Sequence, residues 1–160
     1  MSTLKVGTIQ DHANSTTAMT IDSGGRILQP EKPHFHVGKS DGAVGAGTTI
    51  VWNNVIRDTE SAYSTSTGKY TIPSGLTGLW WFGASALSNN TTYVEISLVV
   101  DGTNTFNARS QGQNNTNNAA CITAAYYATA GQEILIRTEG GSSMYGTGNQ
   151  YSFWTGYFIG

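Results

Sequence analysis

Apolar residues in this chain recur at every second position over short runs, not at helical spacing, and Gly, Asn and Asp punctuate the runs every eight to twelve residues. That pattern predicts an all-β sandwich. The clearest strand is Tyr93 to Asp101, where Val94, Ile96, Leu98 and Val100 point one way and Tyr93, Glu95 and Ser97 the other. Asp101-Gly102 is a hairpin turn signal that returns the chain toward Phe106 and Ala108. Ile134 and Ile136 alternate with Glu133 and Arg137 in the same way. Three further segments, Leu79 to Ala86, Ala120 to Ala128 and Ser152 to Ile159, carry apolar or small residues on both faces. Strands of that kind need cover twice, within the sandwich or from a neighbouring subunit.

The connections between these strands alternate in length. Polar stretches at Asp58 to Ser66, Ser88 to Thr92, Gly112 to Asn118 and Gly140 to Gln150 are interleaved with tight turns at Pro73 to Thr77, Asp101 to Thr103 and Ala130-Gly131. If consecutive strands run in opposite directions, every long connection gathers at one end of the sandwich and every tight turn at the other. Loops displayed on a rigid scaffold are where recognition usually resides. Residues 1–33 are different: short apolar pieces at Leu4 to Ile9, Ala18 to Ile21 and Arg26 to Leu28 are too few to form a core, so this segment reads as an attachment arm ahead of a head domain at 34–160. A chain of 160 residues buries about 70% of its unfolded surface as one unit, so no staple is required.

Within Trp52 to Phe82 the spacings carry a family resemblance. Five, four and six residues lie between Trp52, Asp58, Tyr63 and Tyr70 in turn, STGKYTIP follows at Ser66 to Pro73, and Gly78-Leu79-Trp80-Trp81-Phe82 adds a Gly-x-aromatic-x-Phe step. Together with AGQEILIR at Ala130 to Arg137 and SFWTGYFIG at Ser152 to Gly160, this resembles the globular head of complement component 1q and its tumour-necrosis-factor relatives over about residues 35 to 160. There are two departures: the interval from Tyr70 to Gly78 is two residues longer than the family pattern, and Ala84 stands where a last aromatic belongs. The resemblance implies a ten-strand jelly roll assembled as a homotrimer, in which Trp80, Phe82, Tyr126, Phe153 and Tyr157 form the trimer interface or core. The arm, with LKVGTIQ, TTAMTIDSGGRI and Pro30-Glu31-Lys32-Pro33, is similar to N-terminal segments of tailed-bacteriophage fibre and virion proteins.

Composition narrows the chemistry. Only 11% of residues are charged, and Ser, Thr and Asn supply about three residues in ten, so hydroxyls and amides must keep the surface wet. A net charge of -2 with scattered basic residues gives no footprint for nucleic acid. No apolar run reaches membrane-spanning length and MSTLKVGTIQ lacks signal-peptide character, so a protein made in the host cytoplasm, without membrane insertion, is expected. Glycosylation at the Asn-x-Thr triplets of Asn89, Asn90 and Asn114 would require a secretory route. Cys121 lies in an apolar run and reads as a buried free thiol.

All three histidines fall within the first 36 residues, which leaves the sandwich body without an imidazole for a nucleophilic site. Gly38-Lys39-Ser40 imitates a phosphate-loop ending, but Pro33 occupies the position of the first glycine. His34 and His36 are the one metal-like spacing, since three copies would offer six imidazoles; the plainer reading puts both on the solvent face of a strand with Phe35 inside, and no metal or cofactor is expected. Ligand-binding candidates lie in two polar loops, with Asn114, Asn115 and Asn117 in one and Tyr145 and Asn149 in the other, beside Tyr151. Amides that bond sugar hydroxyls and a ring to stack on a sugar face suit a host-surface glycan or protein. The expected function is a non-enzymatic trimeric knob of a tailed-phage virion, a fibre or tail-tip module joined to other virion proteins through residues 1–33. The alternatives are a capsid decoration protein and, from a different class, a polysaccharide hydrolase using two of the scattered carboxylates.

Overall fold

The computed structural model of the protein describes residues 6–10, 12–13, 15, 17–29, 32–40, 42–88, 93–111, 118–141 and 151–160. The chain divides into two compact units, Met1–Lys32 and Pro33–Gly160. The first holds a three-stranded antiparallel sheet in the order β1-β2-β3, made of Thr8–Gln10, Thr17–Ile21 and Ile27–Leu28.

The second unit is a two-layer sandwich. Its strands are β4 (His34–Gly38), β5 (Asn54–Asp58), β6 (Lys69–Thr71), β7 (Gly78–Ser88), β8 (Tyr93–Val100), β9 (Thr103–Gln111), β10 (Asn118–Ala128), β11 (Glu133–Gly141) and β12 (Phe153–Phe158). They form a five-stranded sheet ordered β10-β7-β12-β4-β5 and a four-stranded sheet ordered β6-β11-β8-β9, antiparallel throughout. Isolated bridges add Thr49 to Arg137 and Tyr63 to Tyr70. None of the described residues belongs to a helix long and apolar enough to cross a membrane.

Alternation decides what fills the space between the layers. Trp80, Phe82, Ala84 and Ala86 of β7 and Phe35 and Val37 of β4 point inward, and Val94, Ile96, Leu98, Ile134 and Ile136 meet them from the opposite sheet, all essentially without solvent contact. Gly156 of β12 lies between Phe35 and Phe82 in register, and a Cβ there would come within 2.5 Å of Phe35 Cε1 and 2.8 Å of Phe82 Cδ1. The missing side chain lets the two rings close over the middle of the sheet.

Turn chemistry fixes one pole. Asp101 and Gly102 have φ of 47° and 81°, the left-handed pair of a type I′ hairpin, and register then places Leu98 opposite Phe106 and Ile96 opposite Ala108. Asp101 also accepts hydrogen bonds from Glu133 N (2.8 Å) and Gln132 Nε2 (3.0 Å), and Ala130 N donates to Thr77 Oγ1 (2.9 Å). The tight turns at 73–77, 101–102 and 129–132 are thus bonded into one floor. At the other pole Ser88 pairs with Asn118, Tyr93 with Gln111 and Val94 with Gly141, so these ends of β7, β8, β9, β10 and β11 lie together.

The polar stretch at 58–66 breaks this alternation. β5 and β6 both run toward the turn pole, so the chain between them has to climb back. It does so as a small hairpin, with Thr71 N donating to Ala62 O (3.1 Å) and Ser64 N to Lys69 O (2.8 Å) around the Tyr63 to Tyr70 bridge.

Candidate functional site

The two sheets present opposite kinds of surface. On the five-stranded sheet the outward positions of β7, β10 and β12 form rungs: Tyr127 with Leu79; Ala125, Trp81 and Tyr157; Thr123, Gly83 and Thr155; Cys121, Ser85 and Phe153. None of these residues is charged. Leu79 (36%), Tyr127 (66%), Tyr157 (41%) and, just past β12, Ile159 (44%) are exposed in the single chain. A Cβ on Gly83 would sit 2.4 Å from Trp81 Cη2, so the indole lies flat across the glycine. Exposed apolar faces of this kind commonly mark sites of protein contact.

The four-stranded sheet is polar outside. Lys69 Nζ pairs with Glu133 Oε2 at 2.6 Å, and Arg137 holds Glu139 (2.8 Å) and Asn104 (2.6 Å). The Arg109 guanidinium lies 4.1 Å from the centre of the Tyr93 ring. Burial pushes the Glu139 carboxyl up, but hydrogen bonds from Arg137, Ser97 and Asn104, with the guanidinium charge, outweigh it and leave it below the usual carboxylate range. That face is built to stay in water.

The residues that carried the family spacing turn out to hold the fold. Trp52 N donates to Tyr63 Oη (2.8 Å), Tyr63 N donates to Asp58 Oδ2 (2.8 Å), and Tyr70 stacks on Phe35 at 4.2 Å. Trp52 and Tyr70 are fully buried and Tyr63 nearly so. Burial pushes both phenols well above the usual tyrosine range, Tyr70 further through the nearby carboxylates of Asp58 and Glu60. These side chains do not reach a surface where a ligand would meet them.

Of the residues expected at the interface or core, Trp80 and Phe82 are core, stacked on each other at 6.1 Å, and Tyr126 is half-buried with its edge to Phe106 at 6.4 Å. Phe153 and Tyr157 lie on the outer face, against His36 (5.7 Å) and Trp81 (5.1 Å). Sequence reasoning did not single out Trp81 and Tyr127. Their parity was the available signal: in GLWWFGASA and AACITAAYYA the inward residues are even-numbered, so the odd-numbered aromatics must face out.

Cys121 is a correction. It shares that odd parity, so its side chain is exposed, with Sγ 3.6 Å from Ser85 Oγ, not buried in the core. His34 and His36 are half-buried on the outer side of β4, with Phe35 fully inside. Burial pushes the His36 imidazole below the ordinary histidine value. Among the described residues no group of three or more His, Cys, Asp or Glu is arranged to hold a metal ion. The loop candidates Asn114, Asn115, Asn117, Tyr145 and Asn149 lie outside the described residues. Tyr151, at the edge of the second loop, is exposed, and its carbonyl accepts from Ser85 Oγ at 3.2 Å.

This two-sheet geometry has known counterparts. Residues 34–159 match the C1q domain, and the chain belongs to that family. Among solved structures, it is similar to the globular domain of zebrafish complement 1qA protein, with a TM-score of 0.65 at 13% identity, over 81% of this chain and 98% of that one. The Eiger TNF of S. frugiperda gives a TM-score of 0.69 at 11% identity over 81% and 93% of the two chains. Murine APRIL gives 0.67 at 10% identity over 80% and 99%. A search of the curated proteins finds no match. Domains of this fold typically form trimers and are generally non-enzymatic.

Proposed function

We propose that the chain is the subunit of a homotrimeric, non-enzymatic display head on a tailed-bacteriophage virion, a fibre or tail-tip module that meets the host surface with its polar loops. The observation that carries this reading is the uncharged outer face of β7, β10 and β12, where Leu79, Trp81, Tyr127, Tyr157 and Ile159 await cover. Cover by two further copies buries that face and leaves the loop pole free. The three connections at 89–92, 112–117 and 142–150 then form one crown per subunit, rich in amides and hydroxyls. Residues 1–33 join the head to other virion proteins. The phage setting rests on the arm's sequence similarity to fibre and virion components.

The test is competition at the host cell. Purified protein should bind host cells saturably and block particle attachment, and alanine at Asn114, Asn115, Asn117, Tyr145 and Asn149 together should abolish that block. Full blocking by the alanine variant would remove the loops from the reading. No binding by the native protein, with hundreds of copies per particle on a gel, would move the chain from the tail to the capsid surface.

A further inference from the structure

We propose that the sandwich carries, at the pole where Ser88 pairs with Asn118, a binding site for an anionic sugar unit, with the Lys39 ammonium as the partner of its charge. Four inward rows of the five-stranded sheet change character at one level there. Val37, Trp154, Ala86 and Ala120 are buried apolar residues on β4, β12, β7 and β10, which are neighbours in that order. Two positions nearer the pole the same rows continue as Lys39, Ser152, Ser88 and Asn118, all buried and all polar. The ladder runs on through them: Lys39 N donates to Ser152 O (3.1 Å), Leu87 N donates to Ser152 Oγ (3.1 Å), and Ser88 stands opposite Asn118. From the other sheet Thr138 follows Ile136 inward. Its hydroxyl donates to Gly45 O (2.5 Å) and accepts from Thr48 N (3.1 Å), so that group is already satisfied.

Lys39 is the member that points to a ligand. It keeps only 7% of its surface, yet among the described residues the ion pairs are Arg26 to Asp22, Lys69 to Glu133 and Arg137 to Glu139, and none reaches its ammonium. An enclosed charge without a counter-charge is costly, and an arriving anion offsets that cost. The ammonium is nevertheless accessible. The sealed polar atoms that lack a partner are Trp52 Nε1, Tyr70 Oη and Trp154 Nε1, and Lys39 Nζ is not one of them. It lies 3.6 Å from where a Cβ on Gly42 would stand, so the packed stem delivers the charge to the turn that follows β4.

The kind of anion follows from the surroundings. Gly38 ends β4 and Ser40 N already donates to Asn53 Oδ1 (3.0 Å), so Gly38-Lys39-Ser40 does not offer the row of free N–H groups of a phosphate loop. A single lysine charge above a floor of hydroxyls and an amide suits a small charged group on a polar body. Tyr151, next to Ser152, is exposed at the same rim and offers a ring to the face of a sugar.

The site rests on the reading of the head as a host-surface receptor module and names the chemistry recognised. Host-cell binding is compared for the full native chain, for Lys39→Met, which keeps an apolar stem without the charge, and for Lys39→Arg, which keeps the charge. Lys39→Met should melt and sediment like the native protein but bind at least about tenfold more weakly, as loss of one charge-assisted hydrogen bond implies, with partial recovery in Lys39→Arg. Calorimetry of the full chain with a glucuronic acid oligomer, a neutral glucose oligomer of equal length and inorganic phosphate identifies the anion. Binding of the first assigns a sugar carboxylate, binding of phosphate assigns a phosphorylated sugar, and both support the site. Native-strength host binding by a folded Lys39→Met, equal binding of the neutral oligomer, or no binding of either anion would overturn the site and leave the receptor reading standing. A native protein that ignores host cells but binds one of the anions, with that binding lost in Lys39→Met, would remove the receptor reading and keep the site.

Discussion

Trp81 and Tyr157 are direct cross-strand partners on β7 and β12, and their rings stack 5.1 Å apart, 26° from parallel, on the outside of the five-stranded sheet. One residue along the chain, Trp80 faces the opposite way and is fully buried. Adjacent tryptophans therefore report on different events. Trp81→Glu should leave a folded head, since nothing inside the sandwich is touched, but should prevent assembly by placing a charge in a desolvated contact. Circular dichroism of native shape together with a single-chain species in sedimentation is the expected pair of results.

Trp80→Ala and Phe82→Ala should each cost about 3 to 5 kcal/mol of stability, because they empty volume between two well-packed layers. Thermal or denaturant unfolding checks this, and native-like melting of either variant would contradict the inward parity of β7. In a trimer, unfolding is linked to dissociation, so the comparison has to be made at fixed chain concentration.

Two glycines separate the same events more finely. Gly156→Ala forces a methyl into Phe35 and Phe82, and should destabilise the head by about 1 to 3 kcal/mol through overpacking. Gly83→Ala meets the Trp81 ring first, on the outer face of the sheet. It should leave the fold of the single chain intact while weakening self-association, measured by dilution.

Tyr63→Phe removes the acceptor for the backbone N–H of Trp52, in a buried place, and should cost about 1 to 3 kcal/mol. Host-cell binding should survive, since the lost bond is buried inside the fold. Loss of binding at full stability would mean that these aromatics do more than hold the fold.

The His36 imidazole stacks on Phe153, stands opposite Thr155 and Arg57 on the neighbouring strands, and has His34 two residues away on its own. Burial lowers its folded-state value below the ordinary value of about 6.5, so the unfolded chain binds the proton more readily. Its contribution to stability is therefore retained above that ordinary value and lost as pH falls through the folded one. Melting temperature should drop on acidification below about 6.5, and His36→Gln should flatten the part of that drop owed to this residue. An unchanged profile would place the imidazole in water.

Much of the fold was legible because strand period and turn chemistry agree. The Asp101-Gly102 pair set a register that the Val94, Ile96, Leu98 and Val100 face required anyway. The stretch at 58–66 was misplaced because its direction depends on β5 and β6 running the same way, a tertiary fact with no local signal. Cys121 was misjudged for a related reason: AACITAA is apolar on both faces, and its parity is fixed only by pairing with β7, where Cys121 stands opposite Ser85. The apolar outer face of β7, β10 and β12 was half legible. Tyr157 and Phe153 were singled out and Trp81 was not, since small and aromatic residues on both sides of β7 announce two burials without saying which is which. The polar loops carry composition alone, and composition names a chemistry of recognition without a geometry.

The central claim is that copies of this chain cover one another across β7, β10 and β12. Sedimentation velocity of the full chain at low micromolar concentration, beside Trp81→Glu, tests it most directly. A three-chain species for the native protein and a single 17.0 kDa chain for the variant are the expected results. A native protein that sediments as one chain, with Trp81 and Tyr157 open to solvent, would contradict it.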